Sequence, residues 1–68
     1  MNDEVFNMEI RKFLKQVGVT SQRVIEQAAR DAIKAGTLKG SETLNAHVTL
    51  TIDGLDVSHK IDGTIKLG

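Results

Sequence analysis

The sequence predicts an α+β chain in the order ααββ, two helices followed by a long antiparallel β-hairpin, with both helices on one face of the sheet. Three observations predict it. Apolar residues recur at spacings of three and four as far as Ile33, the mark of helix; from Leu44 they alternate with polar ones, the mark of a half-buried strand. Asp53-Gly54 then stands between two alternating runs, a strong short hairpin signal.

The first helix is expected to begin at an Asn2 or Asp3 cap, with Asp3 and Glu4 at its positive end. Phe6, Ile10, Phe13, Leu14 and Val17 form its stripe, and Gly18 reads as its stop. A second helix is expected from Ser21 or Gln22, with Ile25, Ala28, Ala29, Ala32 and Ile33 as its stripe and a Glu26–Arg30 pair one turn apart. Gly36 ends it, and Leu38 is a lone apolar anchor in the connection that follows.

In the first strand Leu44, Ala46, Val48, Leu50 and Ile52 share one parity. A two-residue turn at Asp53-Gly54 would set Ile52 opposite Leu55, Leu50 opposite Val57 and Val48 opposite His59. The second Asp-Gly, at Asp62-Gly63, is not expected to open a third strand. An unbroken second strand keeps Leu55, Val57, Ile61, Ile65 and Leu67 on one side, whereas a turn there would split them, so Gly63 is read as a bulge at most. The expected core is Phe6, Ile10, Phe13, Leu14, Val17, Ile25, Ala28, Ala29, Ala32, Ile33, Val48, Leu50, Ile52, Leu55, Val57, Ile61 and Ile65.

The chain has 68 residues, nine basic and nine acidic side chains, and no cysteine. A chain of this size buries only about 60% of its unfolded surface, and small domains gain stability from disulfides, metals or partner chains. Disulfides are excluded and a zinc site is disfavoured without cysteine, which leaves a very economical core or a partner chain. The two-residue-turn register sets Ile65 opposite Glu42 and Leu67 opposite Gly40, poor partners in both cases. Ile65 and Leu67 are therefore the candidate interface of a homodimer. No apolar run approaches the roughly 18 residues of a membrane span, and the acidic start does not read as a signal peptide, so a soluble cytoplasmic protein without a membrane role is expected.

Catalysis finds little support. His47 and His59 fall on opposite strand parities and cannot share a metal or proton. Ser21, Ser41 and Ser58 read as cap, turn and strand residues, and Asp53 and Asp62 as turn residues. No catalytic, cofactor or metal residue is assigned, and the chain is expected not to be an enzyme. The leading reading is a protein-interaction module whose further partner the residues do not name. The alternative is a DNA-binding protein. Phe13 to Gln27 resembles a helix-turn-helix with Gly18 in the turn; Ser21, Gln22, Arg23, Gln27 and Arg30 would contact phosphates and base edges, and the hairpin would act as a wing. Against it stand a net charge of zero, Leu14 where the motif prefers a small residue, and one helix fewer than winged helices usually have.

The chain as a whole resembles a small bacterial protein family of unknown function. The likeness rests on the opening Asn2-Asp-Glu-Val-Phe-Asn-Met8, on Ile10 through Arg23, and on Leu50-Thr-Ile-Asp-Gly-Leu55. The resemblance implies a bacterial, soluble, compact protein and carries no activity or site residue with it.

Overall fold

A computed structural model describes residues 1–68. It contains one helix, α1 (Asp3–Lys34), and two strands, β1 (Thr43–Thr51) and β2 (Ser58–Lys66). The chain divides into two units, Met1–Thr37 and Leu38–Gly68, which hold the helix and the hairpin respectively. The α+β class and the antiparallel hairpin are as expected; the two helices are not.

In the first unit, the Asn2 side chain caps α1 by accepting from the Val5 N–H at 3.1 Å, and Asp3 and Glu4 follow in the first turn. The helix then runs through Gly18 without interruption for 32 residues. A stop at Gly18 would need a left-handed backbone there, and the left-handed glycines are Gly36, Gly40 and Gly54. The energetics favour continuation. Glycine inside a helix costs about 1 kcal/mol against alanine, and Val19 and Thr20 cost a few tenths each. A break would leave four carbonyls without partners and demand a second nucleation. No proline forces the end.

At the true end, Gly36 has φ +83°. The Gly36 N–H donates to the Ile33 carbonyl at 3.1 Å and the Thr37 N–H to the Ala32 carbonyl at 2.9 Å. These are the two bonds of a Schellman stop with Ala35 as the cap residue. Along the helix Glu26 accepts from Gln22 at 3.1 Å instead of pairing with Arg30.

In the second unit, β1 and β2 pair from Thr43↔Lys66 to Thr51↔Ser58. The expected register is corrected by two residues. Val48 lies opposite Ile61, not His59; Leu50 lies opposite His59, not Val57. The cause is the turn. A two-residue type I′ loop needs positive φ at both central residues, and only Gly54, at φ +89°, has it. The Leu55 N–H donates to the Ile52 carbonyl at 3.2 Å, closing a turn with positive φ at its third residue alone, the type II pattern. Ile52, Leu55 and Val57, expected as paired strand residues, therefore belong to a six-residue connection between Thr51 and Ser58. β2 passes through Asp62-Gly63 as one strand, as expected, and Gly63 pairs with Ala46 in regular register, so no bulge forms.

The expected core does not form within either unit: neither the helix nor the hairpin buries a side chain by itself. Phe6 is 47% exposed, Phe13 52% and Ile61 54%.

Two alanine substitutions test the placement of the glycines. Nothing lies within 4 Å of a Cβ built at Gly18, so Gly18→Ala is expected to stabilise α1 by about 1 kcal/mol. Gly36→Ala must hold alanine in the left-handed region and is expected to cost about 1–2 kcal/mol. Thermal unfolding followed at the helical dichroism band reads both, and a loss of stability in Gly18→Ala would mean that the helix ends there after all.

Candidate functional site

The surface features that stand out are apolar, and on the hairpin they are one-sided. On the hairpin, directly opposed residues share a face, so Leu44↔Ile65, Ala46↔Gly63, Val48↔Ile61 and Leu50↔His59 make one side of the sheet. Thr43, Asn45, His47, Thr49 and Thr51, with Ser58, Lys60, Asp62, Thr64 and Lys66, make the other. The shift of two residues leaves these faces as the alternation predicted them, because side chains repeat every second residue. Val48 at 53% and Ile61 at 54% exposure form an uncovered apolar pair in the middle.

On α1, four residues of the first expected stripe and three of the second fall on one row through Ser21, while Leu14, Ala29 and Ile33 lie off it. Phe6, Ile10, Phe13, Val17, Ser21, Ile25, Ala28 and Ala32 follow each other at three- and four-residue steps across Gly18. The phase is kept through the glycine, as one uninterrupted helix requires. Beside Ser21, the residues Phe13, Gln16, Val17 and Thr20 line an open depression of about 320 Å³.

The five candidate nucleic-acid residues are separated by this geometry. The helix-turn-helix is absent, because Phe13 to Arg30 is continuous helix with no turn to set a recognition helix at an angle. Ser21 is half-buried and lies in the apolar stripe. Gln22 donates to Glu26, and Gln27 to Asp31 at 2.8 Å. Arg23, Gln27 and Arg30, at steps of four and three, share one exposed face.

The candidate interface residues of the tail have partners within the chain. Ile65 pairs with Leu44, and the Leu67 N–H donates to the Glu42 carbonyl at 2.9 Å. Both side chains are half-buried. The mismatch that made them candidates came from the two-residue turn and disappears with it.

His47 and His59 lie on opposite faces, with His47 opposite Asp62 and His59 opposite Leu50. No group of three or more His, Cys, Asp or Glu side chains is placed to hold a metal ion. Lys60 and Asp62 form an exposed ion pair at 3.8 Å, of a kind that contributes little to stability.

One residue was overlooked by sequence reasoning. The Glu42 carboxylate accepts three consecutive backbone N–H groups, from Lys39 at 2.8 Å, Gly40 at 2.9 Å and Ser41 at 3.1 Å. The N–H of Lys39 first and that of Gly40 next lower its pKa from the ordinary glutamate value, while desolvation acts the other way. The available signal was an acid placed directly after the turn formers Gly40 and Ser41, whose loop amides otherwise lack partners.

No helix is long and apolar enough to cross a membrane. The model of a family of unknown function (DUF6494) matches residues 1–68, the whole chain, which therefore belongs to that family. No curated protein and no solved structure matches it.

Glu42 makes stability depend on pH with a definite sign. Its pKa is lower in the folded chain than in the unfolded one, so its contribution is complete above the usual carboxylate range and is lost as pH falls through the folded value. Glu42→Gln keeps one oxygen acceptor and removes the charge. In urea titrations from about pH 6 to about pH 3, the natural chain is expected to lose its advantage over Glu42→Gln as acid is added. An advantage that stays constant over that range would show that the carboxylate charge is not what the loop amides hold.

Proposed function

We propose that this member of the family is a non-enzymatic protein-interaction module whose partner is a second copy of itself. The observation that carries this reading is the apolar stripe of α1 and the apolar face of the hairpin, combined with the lack of any buried side chain within either unit. A single helix has nothing within its own unit to lay its stripe against, and most helical stability in proteins comes from such packing. A two-stranded sheet cannot cover its own apolar face, and an isolated two-stranded hairpin is marginal in water. Exposed contiguous apolar surface of this kind marks interaction sites.

A second copy supplies matching surface of both kinds by symmetry. The stripe on α1 from Phe6 to Ala32 is about 39 Å long at 1.5 Å per residue, whereas a nine-residue strand spans about 30 Å. The stripe thus outruns the face of one hairpin, and another helix of the same length matches it end to end. The two histidines, set on opposite faces, and the charged side chains, which are distributed over exposed surface, support a binding rather than a catalytic role. The reading places the protein in the cytoplasm, a compartment that a cysteine-free chain suits.

Assembly and folding are then linked by mass action. Sedimentation equilibrium at tens of micromolar is expected to give a dimer, and helical dichroism is expected to fall on dilution as the dimer separates. A monomer that keeps its full helix at every concentration would overturn the reading.

A further inference from the structure

We propose that α1 is the self-assembly element, pairing antiparallel with the same helix of a second copy about a two-fold axis at the level of residue 19. The inference rests on the self-association reading above and assigns it a surface and an orientation. The positions of the stripe are symmetric about residue 19. Phe6 and Ala32 are equidistant from it, as are Ile10 and Ala28, Phe13 and Ile25, and Val17 and Ser21. Reversing the helix about that level therefore lays the stripe onto itself, the condition for a contact in which residue i meets j and j meets i.

Side-chain size selects this orientation. The first half of the stripe is bulky, with Phe6, Ile10 and Phe13; the last two positions are alanines. Antiparallel pairing brings Phe6 level with the partner's Ala32 and Ile10 level with the partner's Ala28, large against small, and sets the one bulky pair, Phe13 with the partner's Ile25, beside the smaller Val17–Ser21 pair. Parallel pairing would set Phe6 against Phe6 and Ala32 against Ala32, crowding one end and leaving a gap at the other. The helix dipoles select the same way: antiparallel helices oppose them, whereas parallel helices would align them, and the first-turn acids Asp3 and Glu4 come level with the partner's last turn, where Lys34 stands.

The chain has no cysteine, so introduced thiols are the only ones present. In the proposed pair, two copies of residue 10 lie about 27 Å apart along the axis, far beyond the roughly 7 Å that a disulfide tolerates between Cα atoms. Residue 10 of one copy and residue 28 of the other lie level. Full-length Ile10→Cys and Ala28→Cys, each oxidised alone, are expected to remain non-covalent, and their mixture is expected to form a covalent heterodimer. Leu14→Cys and Val24→Cys, also equidistant from residue 19, are a second pair expected to behave alike. Far-ultraviolet dichroism checks that each variant keeps its helix, and if one pair loses it the other decides.

A dimer by sedimentation in which Ile10→Cys cross-links to itself, or in which neither mixture cross-links, would overturn the antiparallel helix pair and leave self-association standing through another surface. A monomer at every concentration would overturn both. A monomer that floats with vesicles containing anionic phospholipid would assign the stripe to a lipid surface and likewise overturn both.

Discussion

The rest of this structure depends on one constraint: an apolar stripe on a single helix, and an apolar face on a two-stranded sheet, cannot be covered from within the unit that bears them. Helix formation alone is weakly favourable in water, and hairpin formation less so. Both elements here are locally well specified. The helix has an asparagine cap, acids in its first turn and a two-bond glycine stop. The hairpin has an uninterrupted ladder and two chemically distinct faces. These local devices fix the shape of each unit, yet within its own unit nothing buries the Phe6 to Ala32 stripe or the Val48–Ile61 pair. The energetic weight of each unit thus rests on whatever surface meets these faces.

The second unit shows how one side chain can stand in for missing packing. Glu42 opens the segment that leads into β1, and its carbonyl accepts the Leu67 N–H beyond the end of β2. Its carboxylate gathers the three preceding loop amides. One residue therefore closes the open end of the hairpin by backbone and shapes the loop before it by side chain. The C-terminal residue is drawn into the same place, since a Cβ built at Gly68 would come within 2.8 Å of the Gly40 carbonyl oxygen. At the other end of the hairpin no comparable device exists, and the six-residue connection leaves Ile52, Leu55 and Val57 exposed.

What was legible in the sequence followed from periodicity, and what was not followed from glycine. Strand faces were readable because parity has a period of two. An error of two residues in register leaves every side chain on its proper side, so the apolar face survived a mistaken turn. The partner of Ile65 did not survive it, because opposition, unlike parity, depends on the turn itself. Asp53-Gly54 suits a two-residue I′ loop and equally a turn in which glycine alone takes positive φ, and the dipeptide does not choose between them. Gly18 and Gly36 pose the same ambiguity on the helix. Gly36 is followed by Thr37, Leu38, Lys39 and a second glycine, where the apolar stripe lapses; at Gly18 the stripe continues in phase from Val17 to Ser21. Phase, rather than the presence of glycine, separates a helix stop from a helix interior. Glu42 lay outside any periodic signal, because its role depends on amides brought together by a loop.

The continuity of α1 also changes what the alanines mean. With two short helices, Ala28, Ala29 and Ala32 would be the small face of one helix against its neighbour in the same chain. On one long helix no such neighbour exists within the unit, and the alanines become the far end of a stripe whose near end holds both phenylalanines of the chain. A stripe with both phenylalanines toward one end and two alanines at the other is poorly met by a flat surface, which would touch the bulky end and stand off from the other. It is met well by a surface with the opposite gradient, and a reversed copy of the same helix provides one without any second sequence having to evolve beside it.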